Sequence, residues 1–89
     1  MYVVSYDITS DRRRNKIAKT LEGYGTRIQY SVFECRVTEK KYKEMYIKLM
    51  QLMSDEEEGS IRIYFICGNC EGKIRTIGEI PRQMEQFAE

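Results

Sequence analysis

Eighty-nine residues with a formal charge of +1, one-third charged side chains and no histidine or tryptophan describe one small globular domain, not a repeat array or a disordered chain. A domain this small buries only about 60 to 65% of its unfolded surface, so completion by a second copy of the chain is the default expectation. No apolar run approaches the roughly 18 residues of a membrane span, and MYVVSYDI lacks the basic start and small-residue cleavage site of a signal peptide; a soluble, cytoplasmic protein is expected.

The first element is YVVSYDI, residues 2–8, an alternating strand. Val4, Tyr6 and Ile8 share one face; Val3, Ser5 and Asp7 share the other. Asp7 thus ends an apolar run as an acid on the less apolar side. A carboxylate buried there costs several kcal/mol unless paired, hydrogen-bonded or bound to a cation. Ser10 then reads as the N-cap of a first helix, with Asp11 in its first turn, where the helix dipole favours an anion. Ile17, Leu21 and Tyr24 recur at helical spacing, with Ala18 beside them, and Gly23 or Gly25 ends the helix.

RIQYSVFECRV, residues 27–37, changes the phase of its alternation near Tyr30 and Ser31. It predicts two strands or one long bent strand. Thr38 is the N-cap of a second helix whose stripe is Tyr42, Met45, Tyr46, Leu49, Met50 and Met53, read as core. The acidic SDEEEGS is a loop. IRIYFI follows as a strand with Ile61, Ile63 and Phe65 inward, and KIRTIGEIP supplies a short last strand that stops before Pro81. Tyr64 and Phe65 are expected to pack, since the strand lacks the glycine and paired aromatics of an RNA-recognition motif.

The order βαββαβ, with an extra short C-terminal strand, predicts an α+β, ferredoxin-like fold: residues 1–78 form the domain and residues 79–89 a C-terminal tail. Both helices cover one face of the sheet. Asp7 points to the uncovered face, where a homodimer stacked about a two-fold axis would bring two Asp7 carboxylates together. Facing carboxylates either share a proton or hold a cation. Mg²⁺ or Mn²⁺ suits such a site, since magnesium takes one or two carboxylates and completes its shell with water and phosphate oxygens. Arg12, Arg13, Arg14, Lys16 and Lys19 lie within eight residues and would attract a polyanion, while Asp55 to Glu58 form an acidic block elsewhere.

The residue types that are missing narrow the chemistry. Without histidine there is no Ser-His or Cys-His nucleophile pair, which leaves metal-activated water as the hydrolytic route. GYGT lacks the Lys-Ser/Thr of a nucleotide loop and reads as a helix stop. Cys35, Cys67 and Cys70 are odd in number, so no disulfide framework is expected. CGNC supplies half of a tetrahedral zinc site and reads as a turn after a strand.

YDI at residues 6–8 and RIQYSVFE at residues 27–34, with IRIYFICGNC and KIRTIG later, closely resemble the CRISPR-associated protein Cas-two family, the small partner of the spacer integrase. The likeness runs over nearly the whole chain to Gly78. It implies a homodimer in which the C-terminal strand joins the partner's sheet, and a metal site using Asp7 from each protomer. It also implies a role in CRISPR adaptation, bridging copies of the integrase (Cas-one) and carrying double-stranded DNA, with a metal-dependent endonuclease or endoribonuclease activity, on single-stranded RNA among its substrates, secondary to that role. On this likeness Tyr6 and Asp7 belong to the active centre, Arg14, Lys16 and Arg27 contact phosphates, and Phe33 forms the neighbouring wall. Two other readings compete: a freestanding metal-dependent ribonuclease of the toxin type, and a small-ligand regulatory domain, for which the chain offers no glycine-rich ligand loop.

Overall fold

The computed structural model describes residues 1–53 and 58–79. Its elements run β1 (Tyr2–Ile8), α1 (Asp11–Glu22), β2 (Thr26–Gln29), β3 (Val32–Cys35), α2 (Glu39–Leu52), β4 (Gly59–Phe65) and the one-turn helix α3 (Gly68–Glu71). The strands form one sheet in the order β2-β3-β1-β4, with every neighbouring pair antiparallel. Each βαβ crossover skips one position, which puts both helices on the same side of the sheet and gives the ferredoxin-like fold. The expected acidic loop lies partly, and the tail almost wholly, outside the described residues.

Local chemistry sets the element ends. Ser10 Oγ accepts a hydrogen bond from the Arg13 N–H, and Thr38 Oγ1 does the same for Lys41, so both helices start at the residues the sequence marks as caps. α1 is capped at Gly23. The phase change in 27–37 is a hairpin: Tyr30 and Ser31 turn between β2 and β3, and a register irregularity between Arg27 and Gln29 shifts the alternation. Strand β1 is central and also donates a bond at this end, from the Tyr6 N–H to the Ser31 carbonyl.

The core lies between the sheet and the helices. Val4, Tyr6 and Ile8 from β1 meet Phe33 and Cys35 from β3, Ile17, Ala18 and Leu21 from α1, and Met45 and Leu49 from α2. Alternation on β1 is as the sequence predicts, with Val4, Tyr6 and Ile8 buried and Asp7 exposed.

Three expectations are corrected by where the layer ends. Met50 is 57% exposed and Tyr46 is also exposed, so only part of the α2 stripe is core. β4 is an edge strand, and these two side chains overhang it, lining an apolar groove of about 190 Å³ with Ile61 and Ile63. Phe65 does pair with Tyr2 across the ladder, on the helix-covered side, but at the rim it is 66% exposed, with its ring 5.2 Å from that of Tyr2. Tyr64 is exposed on the opposite side, under the Arg62 guanidinium.

The last strand expected over 73–81 is absent from Lys73–Glu79, and residues 80 and 81 lie outside the described part. CGNC forms the turn expected after a strand, as one helical turn with Cys67 at its N-cap. After it, Ile74 to Ile77 run beside Ile28, Gln29 and Glu34 without joining a ladder.

Candidate active site and nucleic-acid interface

Strand β1 delivers Asp7 to the uncovered face, one residue before the strand ends. Its cross-strand partner is Ser60 on β4, and Ser5 on the same face pairs with Arg62. On this face a carboxylate thus stands opposite a hydroxyl, and Arg62, the diagonal register neighbour, lays its guanidinium over the Tyr64 ring. Among the described residues nothing bonds to the Asp7 carboxylate. Because it is exposed, water already answers its charge, so the desolvation argument that singles it out in sequence does not operate within one chain. What distinguishes it is position, a free acid on an open sheet.

Gly59 makes that position available. Its φ is +135°, a backbone region that side chains avoid, and a Cβ there would lie 2.9 Å from the Asp7 carbonyl oxygen and 2.8 Å from Ile8 Cδ1. β4 therefore starts with a residue able to approach the end of β1 closely.

Tyr6 is not brought to Asp7. It lies on the opposite face, buried, with its ring against Phe33 and its hydroxyl donating to the Tyr30 carbonyl at 3.3 Å. The hydroxyl ties β1 to the β2–β3 turn. Phe33 is 0% exposed and belongs to the core; it offers no stacking wall. Arg27 pairs with Phe33 in the ladder and lays its guanidinium over that ring, 5.2 Å from the centroid. Arg27 thus covers the core on the helix side of the sheet, away from Asp7.

The basic cluster divides by task. Arg13 Nη1 donates to the Leu52 carbonyl at 2.6 Å, placing a cation on the exposed carbonyls at the end of α2. Arg14 Nη1 donates to the Ile8 carbonyl at 3.0 Å, its Nη2 pairs with the Asp11 carboxylate, and its guanidinium lies over the Tyr30 ring at 5.7 Å. The bond to Asp11 holds Arg14 more firmly in its charged form, partly offset by desolvation. Both residues fasten the β1–α1 corner. Arg12 and Lys16 are exposed and have no ion pair among the described residues. With Lys19, also exposed and without an ion pair among the described residues, they are cations of the cluster that remain available to a phosphate.

Sequence reading missed Ser60 and Arg62 as neighbours of Asp7. The signal was present, since inward Ile61 and Ile63 force Ser60, Arg62 and Tyr64 outward, but only the fold puts β4 beside β1.

As to a metal, Asp7 is a hard oxygen donor of the kind Mg²⁺ and Mn²⁺ prefer, and it is exposed and unpaired. No group of three potential ligands exists among the described residues. The donor set fits an ion held by one carboxylate per chain.

Residues 1–74 match the family described as CRISPR associated protein Cas2. The CRISPR-associated endoribonuclease Cas2 1 of Chloroflexus aurantiacus is 49% identical over 80 residues, covering 90% of this chain and 86% of its own length. The crystal structure of Streptococcus pyogenes Cas2 at pH 6.5 superposes with a TM-score of 0.74 at 34% identity, over 86% of this chain and 98% of that one. A chain of a partial Cas6-RT-Cas1–Cas2 complex superposes with a TM-score of 0.74 at 32% identity, over 85% of this chain and 88% of that one. With the family match spanning most of the sequence and the fold shared over nearly its full length, the chain belongs to the CRISPR associated protein Cas2 family.

Proposed function

We propose that this protein acts in the cytoplasm in CRISPR adaptation, as a homodimeric nucleic-acid-binding adaptor of a Cas1 integrase, with a metal-dependent phosphodiesterase activity centred on Asp7. The observation that carries the reading is an exposed, unpaired acid on an open sheet face in a chain whose relatives are named for nuclease activity and for assembly with Cas1. In the dimer two copies of Asp7, one from each chain, would hold Mg²⁺ or Mn²⁺. A bound divalent ion would supply an acidified water and stabilise charge on the phosphoryl oxygens.

The chain's own residues do the rest. Asp7 supplies the metal-binding oxygen, and Ser60 opposite it offers a hydroxyl. Arg12 and Lys16 draw the phosphate backbone toward the helix start. Arg13, Arg14 and Tyr6 act indirectly, by fixing the β1–α1 corner and the β2–β3 turn that frame Asp7. With no histidine available, no side-chain imidazole acts as base.

The test is cleavage of single-stranded RNA and of plasmid duplex by wild type and Asp7→Asn, with Mg²⁺, Mn²⁺ or chelator. Cleavage that needs metal and disappears in Asp7→Asn is the expected result. Cleavage that persists in both the chelator and the variant overturns the assignment to Asp7. The adaptor role is read separately, by co-purification of the integrase with Asp7→Asn, which is expected to equal that of wild type.

A further inference from the structure

Cys67 and Cys70 are used neither by the core nor by the Asp7 corner. Both are exposed, three residues apart on the turn that leaves β4. One helical turn keeps their Cα atoms inside the window of about 4.4 to 6.8 Å that a disulfide spans. The turn itself is anchored. Met1 and Ile66 exchange backbone bonds of 2.9 and 2.8 Å just before it, the Glu71 N–H donates to the Cys67 carbonyl at 2.8 Å, and Arg36 Nε pairs with the Glu71 carboxylate. The two thiols are therefore presented together on a braced piece of backbone. With two thiolates and no third ligand beside them among the described residues, the pair does not make a structural zinc site.

We propose that Cys67 and Cys70 form a reversible dithiol–disulfide site that exchanges with low-molecular-weight disulfides, Cys67 being the attacking thiol and Cys70 the resolving one. The environment separates the two roles. The adjoining backbone and thiol of Cys70 lower the pKa of Cys67, while the Cys67 thiol raises that of Cys70. Cys67 thus carries the larger thiolate fraction near neutral pH. Cys35 is the internal contrast: fully buried, its thiol is pushed up to about 11 by desolvation and then by Glu34, and it stays inert.

The exchange balances as follows. The Cys67 thiolate attacks one sulfur of the oxidant, the oxidant's S–S bond breaks, and one thiolate leaves. Cys70 then loses its proton to solvent and attacks Cys67 Sγ, expelling the second thiolate. Two electrons pass from the cysteine pair to the oxidant, which becomes two thiols. The product closes a ring over residues 67–70, at the opposite end of β1 from Asp7, a separation of roughly 20 Å along a seven-residue strand. Oxidation should therefore lock the exit of β4 without touching the acid corner.

The experiment treats the purified full chain with oxidised glutathione near neutral pH, traps free thiols with iodoacetamide and maps the peptides by mass. The expected product is one Cys67–Cys70 disulfide within the chain, reversed by dithiothreitol, with Cys35 alkylated only after unfolding. Cys70→Ser is expected to stop as a glutathione adduct on Cys67, and Cys67→Ser to react about tenfold more slowly than Cys70→Ser. Equal rates in the two single variants, or disulfides mainly between chains, would sink the proposal. Both substitutions are at exposed positions, and circular dichroism checks that the variants are folded.

Discussion

Tyr6 and Asp7 are joined by one peptide bond and sit in different solvents. Tyr6 is 3% exposed beneath two helices, packed on Phe33, whereas Asp7 stands on the open face with water around its carboxylate. The difference comes from the two-residue period of a strand whose one side is covered and whose other side is free. It teaches that neighbours in a motif need not be partners in a site. The relevant neighbours of Asp7 are Ser60 and Arg62, more than fifty residues away in the chain.

Substitutions on the two faces should break this symmetry in opposite ways. Phe33→Ala removes a fully buried ring shared by β1, β3 and the Arg27 guanidinium, and should cost about 3 to 5 kcal/mol in denaturant unfolding. A loss below about 1 kcal/mol would mean that the helix-covered face is not the packed one. Arg13→Ala removes the cation from the end of α2 and should cost about 1.5 to 3 kcal/mol, a stability effect from a residue that sequence assigns to phosphate binding. Arg12→Ala, its exposed neighbour, should leave unfolding within about 0.5 kcal/mol of wild type while lowering the salt slope of duplex binding by about one. Asp7→Asn should likewise move stability by no more than about 0.5 kcal/mol, so that any loss of cleavage cannot be charged to unfolding. If Asp7→Asn and Phe33→Ala destabilise equally, the two faces are not the separate environments described.

Much of the fold was legible because its rules are local. Ser10 and Thr38 are caps, β1 alternates, and the phase change at Tyr30 and Ser31 needs a turn; each follows from a few adjacent residues. Less legible was everything decided at a distance or at a boundary. Arg13 acts on a carbonyl 39 residues away, and nothing in RRR separates it from Arg12. Tyr46, Met50 and Phe65 obey the right periodicity, yet they reach past the edge strand, and periodicity contains no information on where a layer ends. Phe33 lies within RIQYSVFE, one of the stretches that carry the family likeness, but a family motif marks the need for a residue without saying whether packing or contact supplies that need. Asp7 was found for a reason that fails within one chain: the strand parity was right and the burial assumed for it was not.

The contact between Gly59 and the end of β1 has a consequence for how this sequence can vary. A methyl group at Gly59 would meet the Asp7 carbonyl and the Ile8 side chain, in a backbone conformation already unfavourable to side chains. In a saturation scan read out by cleavage, position 59 should therefore tolerate as few substitutions as position 7, although glycine brings no functional group to the reaction. The alphabet allowed at the proposed metal-binding carboxylate then extends to the residue that gives it room.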